Sequence, residues 1–144
     1  MWHFELGIKE IIENPKSIFF ILTPEEKEEL QNQISLTSYR RNEYIFKEGD
    51  KPSGFMMLVS GKVKIFKEGV GGREQIIRMS KPMGIIGYRA LFADENHIAT
   101  AVTLEDSVIA NITLEFIMNR ALKNSEFSMR LLRKFARELG FANS

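Results

Sequence analysis

One segment of the chain carries residue types that suit an anion-binding site. Gly87 opens a short apolar run that predicts one helical turn, and His97 stands in the polar loop that follows. A glycine before a helical turn lets backbone N–H groups approach a small anion, and the helix dipole favours negative charge there. The pattern therefore predicts an anion site within residues 87–101, a segment that we call the cassette.

Composition argues against several kinds of catalytic chemistry. The 144-residue chain has no cysteine, which excludes structural disulfides, iron–sulfur ligation and thiol catalysis. Its two histidines, His3 and His97, are far apart in sequence and form no His-x-His pair of the kind that jelly-roll metalloenzymes need. A serine nucleophile elbow is also missing. We therefore expect no catalytic residue, no metal, no cofactor and no enzymatic activity.

Charge and hydropathy set the expected location and partners. The formal net charge of +1 gives no general argument for nucleic-acid binding, which needs a basic face. The first residues do not form a signal peptide, and no apolar run approaches the roughly 20 residues of a membrane helix. A cytoplasmic protein without a membrane partner is the resulting prediction.

The elements that must position the cassette follow from hydrophobic periodicity, which divides one domain into three parts. Residues 1–35 predict two helices, one from Phe4 to Glu13 and one begun by Thr23, Pro24 and Glu26 in a capping-box pattern. Residues 36–112 predict short strands, with 69–72 as a hairpin loop. The strands are expected at 37–41, 43–46, 55–59, 62–66, 74–79, 98–104 and 107–112. Such a series predicts a mainly β jelly roll or barrel.

Residues 113–144 predict two further helices. Thr113 is the expected cap of the first, and Asn124 or Ser125 that of a second, which runs to Leu139 and stops at Gly140. The apolar stripe of the last helix suits packing on the β-domain or on a partner helix. Its members are Phe127, Leu131, Leu132, Phe135 and Leu139. The basic residues of both helices are interpreted as a solvated face; they are Arg120, Lys123, Arg130, Arg133, Lys134 and Arg137.

Three motifs in this order resemble the effector-binding domain of the Crp/Fnr superfamily of bacterial transcription regulators. They are Tyr-Ile-Phe-Lys-Glu-Gly-Asp at 44–50, Met-Leu-Val-Ser-Gly-Lys-Val-Lys-Ile at 57–65, and the segment 87–107. The resemblance covers essentially the whole chain. It implies a cyclic-nucleotide-binding β-roll, also called a double-stranded β-helix, and a homodimer formed through the long C-terminal helix. It implies DNA binding only through a helix-turn-helix, which we expect to be absent from this chain.

In that family the cassette glycine is typically followed by a glutamate that binds the ribose 2′-hydroxyl. An arginine and then a serine or threonine bind the cyclic phosphate near the end of the loop. This chain keeps Gly87 but has Tyr88, His97 and Ile98 at those three positions. The resemblance therefore implies a small anionic or nucleotide-like effector, and we do not expect tight binding of cyclic AMP.

The candidate pocket leaves two side-chain roles open. Arg89 either faces a bound anion or forms a salt bridge, and His97 is either solvated or makes a pH-linked anion contact. The candidate ligand-binding residues are Gly87, Tyr88, Arg89, Ala90, Leu91, His97, Ile98, Ala99 and Thr100. Two functions follow as alternatives: an effector-sensing domain of a dimeric regulator, or a stand-alone protein-interaction module with a vestigial pocket.

Overall fold

The computed structural model describes residues 4–143, with side chains for 7–139. Two helices precede a series of eight strands in this part of the chain and two follow it, and a short helix interrupts the strands before the last two. In chain order the elements are α1 (Phe4–Glu13), α2 (Pro24–Gln33), β1 (Ser35–Tyr39), β2 (Tyr44–Phe46), β3 (Phe55–Ser60), β4 (Val63–Glu68), β5 (Glu74–Ser80), β6 (Ile85–Ile86), α3 (Tyr88–Ala93), β7 (Thr100–Thr103), β8 (Ser107–Ile112), α4 (Leu114–Lys123) and α5 (Ser125–Asn143).

The strands form two four-stranded antiparallel sheets. Their orders are β1-β8-β3-β6 and β2-β7-β4-β5. This arrangement confirms the predicted mainly β fold of the jelly-roll or β-roll kind. The chain divides into two compact units, a β-roll unit of residues 35–111 and a helical unit built from the segments on either side. The prediction that all 144 residues form one domain stays a prediction.

The β-roll unit has a continuous apolar core. Val63 and Ile65 of β4 point inward, as their alternation with lysine predicts, and Leu58 of β3 is fully buried beside them. Ile86 of the short strand β6 belongs to the same cluster and directly precedes Gly87. The core therefore fixes the position at which the cassette begins.

A β-bulge in β5 places an arginine on the inner side of the sheet. Phe66 pairs with Ile76 and Ile65 pairs with Arg78, so Ile77 is the extra residue on β5. Residues directly opposite each other on paired strands share a face. Because Ile65 points into the core, the half-buried Arg78 also points inward, and bulges commonly redirect side chains in this way.

The helical unit is joined by a polar cluster around Glu26. The carboxylate of Glu26 accepts hydrogen bonds from the Thr23 backbone N–H at 3.0 Å and from Asn124 Nδ2 at 2.9 Å. Thr23 Oγ1 accepts in turn from the Glu26 N–H, which confirms the predicted capping box. Arg120 Nη1 lies 3.7 Å from Glu26 and 3.3 Å from Glu29. These bonds link α2 to α4 and to the start of α5.

Several element bounds differ from the sequence predictions, and one short strand was not predicted. Strand β7 begins at Thr100 rather than at residue 98, because the backbone N–H and C=O of His97 bond instead to the turn at Gly49 and Asp50. Strand β6 was not predicted, since two isoleucines are too short a run to show a period. Helix α5 continues through Gly140, where a glycine costs only about 1 kcal/mol relative to alanine.

Candidate functional site

Gly87 sits where the cassette turns from β6 into α3. Its φ of +70° is left-handed, a conformation that glycine adopts without steric cost. A Cβ built on Gly87 would lie 2.7 Å from His97 Cε1 and 3.1 Å from Phe46 Cε2. Glycine is therefore required at this position for its backbone angle and for the close approach of two rings. The predicted helical turn is present as the six-residue helix α3.

His97 is buried, which contradicts the first of its two predicted alternatives, a solvated side chain. The imidazole is 5% exposed and stacks on Phe46, with ring centroids 3.6 Å apart and an interplanar angle of 7°. Its backbone N–H donates to the Asp50 carbonyl at 2.8 Å, and its carbonyl accepts from the Gly49 N–H at 2.7 Å. Within the part of the chain that the structure describes, His97 Nε2 has no hydrogen-bond partner.

Burial lowers the pKa of His97, although the nearby carboxylate of Asp50 acts in the opposite direction. The neutral imidazole is therefore favoured in the folded protein. A neutral ring offers one donor and one acceptor rather than a positive charge. The alternative of a cationic His97 paired with an anion is consequently disfavoured near pH 7.

We expect the free energy of unfolding to fall as the pH drops below about 6.5, the ordinary histidine value. Between that value and the lowered pKa, the unfolded chain binds a proton that folded His97 does not bind. Stability therefore rises with pH through this window, with a slope of at most about 1.4 kcal/mol per pH unit. Urea denaturation at several pH values measures the slope.

The matched control for this prediction is His97→Phe, which keeps an aromatic ring against Phe46 and removes the titrating group. The difference between the wild-type and variant pH profiles isolates His97 from His3 and from the carboxylates. Parallel profiles of the two proteins would contradict the assignment.

Tyr88 and Arg78 form the polar side of the candidate pocket. The Tyr88 side chain is half-buried and hydrogen-bonds Arg78, which reaches it from the inner face of β5. Burial raises the pKa of the Tyr88 hydroxyl, and the positive charges of Arg78 and Arg89 offset part of this effect. The phenol is thus neutral near pH 7, and one guanidinium lies beside it.

The structure brings together only some of the predicted pocket residues. Ala90 and Ala99 are buried, and the buried Thr100 accepts the Glu48 N–H through Oγ1 at 3.0 Å. Ile98 is 38% exposed. Leu91 is half-buried, whereas Arg89 is exposed and has no ion pair within the described residues, so its proposed salt bridge is not found there. Among the cassette residues, Gly87 approaches the His97 ring closely, and Tyr88 follows Gly87 in the chain.

Two residues that contact Tyr88 or His97 were not predicted from the sequence. The sequence pattern predicts only that Arg78 belongs to a strand, and the bulge that turns it inward leaves no clear mark in a single sequence. The available signal was a lone arginine between the apolar residues Ile77 and Met79. Phe46 belonged to a family motif, but its stack on His97 depends on contacts about fifty residues apart in sequence.

Metal-binding clusters and membrane-spanning helices are both absent from the described residues. No group of three histidine, cysteine, aspartate or glutamate side chains there is placed to hold a metal ion. In the same part of the chain, no helix combines the length and the apolar composition needed to cross a membrane.

Comparison with known proteins places the fold and the cassette in a family. Residues 36–124 match the Cyclic nucleotide-binding domain family. The chain is 25% identical over 127 residues to a CRP-like cAMP-activated global transcriptional regulator of Mycobacterium tuberculosis, covering 88% of this chain and 57% of the relative. It is 26% identical over 121 residues to the regulatory protein HlyX of Actinobacillus pleuropneumoniae, covering 83% and 50%.

The fold also matches solved structures. The sensor domain of the transcriptional regulator DNR from Pseudomonas aeruginosa superposes with a TM-score of 0.79, with 23% identity and coverage of 96% of this chain and 92% of that one. The chain spans about half the length of the curated relatives it matches. The matched family is a binding domain, which confirms the prediction that this chain is not an enzyme. The chain belongs to the cyclic nucleotide-binding domain family, and its relatives include transcription regulators of the Crp/Fnr type.

Proposed function

We propose that this chain is the effector-sensing domain of a Crp/Fnr-type transcription regulator and that it does not bind cyclic AMP tightly. The observation that carries the proposal is the pairing of Tyr88 with Arg78 at the cassette, in a chain that otherwise has the family's fold. DNA binding enters only through the description of the relatives as transcriptional regulators. The absence of a helix-turn-helix from this chain stays a prediction.

The ribose side of a cyclic nucleotide would meet Tyr88 instead of a glutamate. A neutral phenol bound to a guanidinium is a weaker acceptor for a hydroxyl than a carboxylate is. A hydrogen bond to a charged group contributes about 1.5–3 kcal/mol, and its loss corresponds to about a ten- to a hundredfold loss of affinity.

The phosphate side would meet His97 instead of an arginine. The lowered pKa keeps the imidazole neutral, so it offers no positive charge to a cyclic phosphate. Ile98, at the neighbouring position, has no hydroxyl to add a further bond. Both contacts that the family resemblance assigns to the nucleotide are therefore weakened together.

An effector that suits these groups combines a negative charge with a neutral hydrogen-bonding group. The positive charge of Arg78 pairs with the negative charge of the effector. Arg78 is half-buried, and an ion pair there is less screened than at the surface. The unpartnered Nε2 of His97 supplies a hydrogen bond for the neutral group. We therefore propose a small anionic effector other than cyclic AMP.

Calorimetric titration tests this proposal directly. The chain is titrated with cyclic AMP, cyclic GMP, other nucleotides and small phosphates and carboxylates, and we expect a Kd for cyclic AMP of about 0.1 mM or weaker. For an anion that does bind, Arg78→Gln should weaken binding about tenfold, while Arg73→Gln, at an exposed position of the hairpin between β4 and β5, serves as the charge-matched control. Tight cyclic AMP binding, or equal effects of the two variants, would overturn it.

The alternative of an interaction module with a vestigial pocket is favoured by one observation. The His97 and Phe46 rings pack directly against Gly87 and occupy space beside the turn that opens α3. No binding across the whole titration panel would support this alternative against the sensor.

A homodimer through α5 is part of the sensor proposal. The residues proposed for its interface differ from those predicted from the sequence. Phe127 and Leu131 are buried within the chain, and Phe127 stacks on Phe19 with centroids 5.9 Å apart. Leu132 and Leu139 are exposed, and they share one side of the helix with Met129 and Ala136. The spacing of these four residues, three then four then three, is that of a coiled-coil seam. Phe135 is half-buried and lies beside this stripe.

We expect Leu132→Glu to weaken dimerisation at least about tenfold, because the substitution places a charge in the stripe of both subunits. Leu122→Glu on α4 is the matched control, since Leu122 is 85% exposed and does not belong to the stripe. Sedimentation equilibrium over a range of concentrations measures both. A wild-type chain that stays monomeric, or equal effects of the two variants, would contradict the proposed interface.

A further inference from the structure

The helical unit contains a groove that the proposed effector site does not use. It is a concave region of about 760 Å³ between the segment 15–21 and α5, and we call it the α5 groove. Ile21 and Met129 line it with apolar surface, and Met129 is 47% exposed. Its polar side chains are mostly cationic; they are Lys16, Arg130, Arg133, Lys134, Arg137 and Glu126.

Several of these cations are available to a partner. Lys16, Arg133 and Arg137 are exposed and have no ion pair within the described residues. Arg130 donates to the Pro15 carbonyl and lies 5.9 Å from the Phe20 ring, which holds it at the edge of the groove. Lys134 is paired with Glu138 at 3.6 Å. Unpaired positive charge is therefore concentrated at the α5 groove, although the net charge of the chain is only +1.

The arginines of the α5 groove are closely spaced along the helix. Arg130, Arg133 and Arg137 follow one another at steps of three and four residues, so they lie on one side of α5 and repel each other. Like charges at such spacing destabilise a helix by a few tenths of a kcal/mol each. An anionic partner removes this repulsion, and the apolar floor adds surface for it to cover.

We propose that the α5 groove binds an acidic, amphipathic peptide segment of a partner protein. Its carboxylates pair with Arg133, Arg137 and Lys16, and one apolar side chain covers Ile21 and Met129. A peptide fits these features better than duplex DNA does, because phosphate contacts do not use an apolar floor. DNA is usually read by elements that protrude into its grooves, whereas this surface is concave.

Fluorescence anisotropy with defined probes tests the proposal on the full chain. The first probe is a labelled glutamate-rich peptide with leucines spaced along one helical face; the second replaces each leucine with glutamine. The third is a labelled duplex DNA of mixed sequence. We expect the leucine-containing peptide to bind, and both the loss of its leucines and added salt to weaken binding at least about threefold.

Charge-reversal variants locate the site. Arg133→Glu combined with Arg137→Glu should weaken binding of the leucine-containing peptide at least about tenfold. The control, Lys51→Glu with Lys67→Glu, makes the same change of net charge at exposed positions of the β-roll unit. Circular dichroism checks that each variant is folded, and Arg133→Gln with Arg137→Gln provides a milder version.

Four results would overturn the proposal. These are no binding of the leucine-containing peptide, equal binding of the peptide without leucines, tighter binding of DNA, and equal weakening by the two charge-reversed variants. None of these results bears on the effector site, so this proposal and the effector-binding part of the sensor proposal fail independently. Met129 also belongs to the proposed dimer stripe, so sedimentation equilibrium of the Arg133→Glu, Arg137→Glu variant distinguishes loss of the peptide site from loss of the dimer.

Discussion

Gly61→Ala is expected to lower the free energy of unfolding by about 3–5 kcal/mol, because the added methyl group meets both a strained backbone angle and a close contact. Gly61 lies in the short connection between β3 and β4, with a φ of +101°. A Cβ there would lie 2.1 Å from Ser107 Oγ and 2.7 Å from the Asp106 carbonyl oxygen. Ser107 Oγ accepts from the Lys62 N–H and donates to the Glu105 carbonyl, so the added methyl displaces a bonded turn.

Gly49→Ala is the matched control for this clash. Gly49 has a similar φ of +93°, but a Cβ built on it meets nothing within 4 Å. Its substitution should therefore cost only the conformational strain, about 1–2 kcal/mol. Urea denaturation of both variants measures the difference, and equal losses would show that the contact with Ser107 is unimportant.

The fold was predictable because many local signals agree. The capping box at Thr23 and the alternation at Val63 and Ile65 each specify a local structure that the folded chain adopts. Hydrophobic period and turn residues act over a few positions, and they are readable without any knowledge of distant contacts. The three family motifs then indicated that these strands form a β-roll.

The candidate site was predictable only as a location. Gly87 indicated the turn by its residue type, but the partners of Tyr88 and His97 come from β5 and β2. The inward direction of Arg78 results from one extra residue in β5, and a single-residue change of register moves a side chain to the other face. Such pairings depend on tertiary contacts that periodicity does not contain.

For α5, too, the sequence pattern does not show which apolar residues are buried within the chain. The apolar residues of this helix recur every four positions and predict one stripe, which suits packing either on the chain's own core or on a partner helix. The structure assigns Phe127 and Leu131 to the first role and leaves Leu132 and Leu139 exposed. Periodicity shows that a helix is apolar over a wide arc. Which residues of that arc face the chain's own core depends on the position of Phe19, and the sequence pattern does not contain it.

Glu26→Ala is expected to lower the free energy of unfolding by about 2–4 kcal/mol, because the change removes a cap bond and leaves Arg120 without its buried partner. The Glu26 and Arg120 side chains are 12% and 11% exposed. Burial alone would raise the pKa of Glu26, but the hydrogen bonds from Thr23 and Asn124 and the Arg120 charge together lower it. The stabilisation is therefore present above the ordinary glutamate pKa of about 4.3 and is lost as the pH falls through the lowered value.

Two further variants separate the parts of this effect. Glu29→Ala removes the other carboxylate near Arg120 from the same helix, but the Glu29 side chain is 56% exposed, so its loss should be under about 1 kcal/mol. Glu26→Gln keeps an acceptor for the Thr23 N–H and removes the charge, so its loss should fall between the other two. Denaturation at neutral pH and near pH 4 measures all three variants. Equal losses for Glu26→Ala and Glu29→Ala, or a pH-independent difference between Glu26→Gln and the wild type, would show that the Glu26 carboxylate does not hold α2 and α4 together.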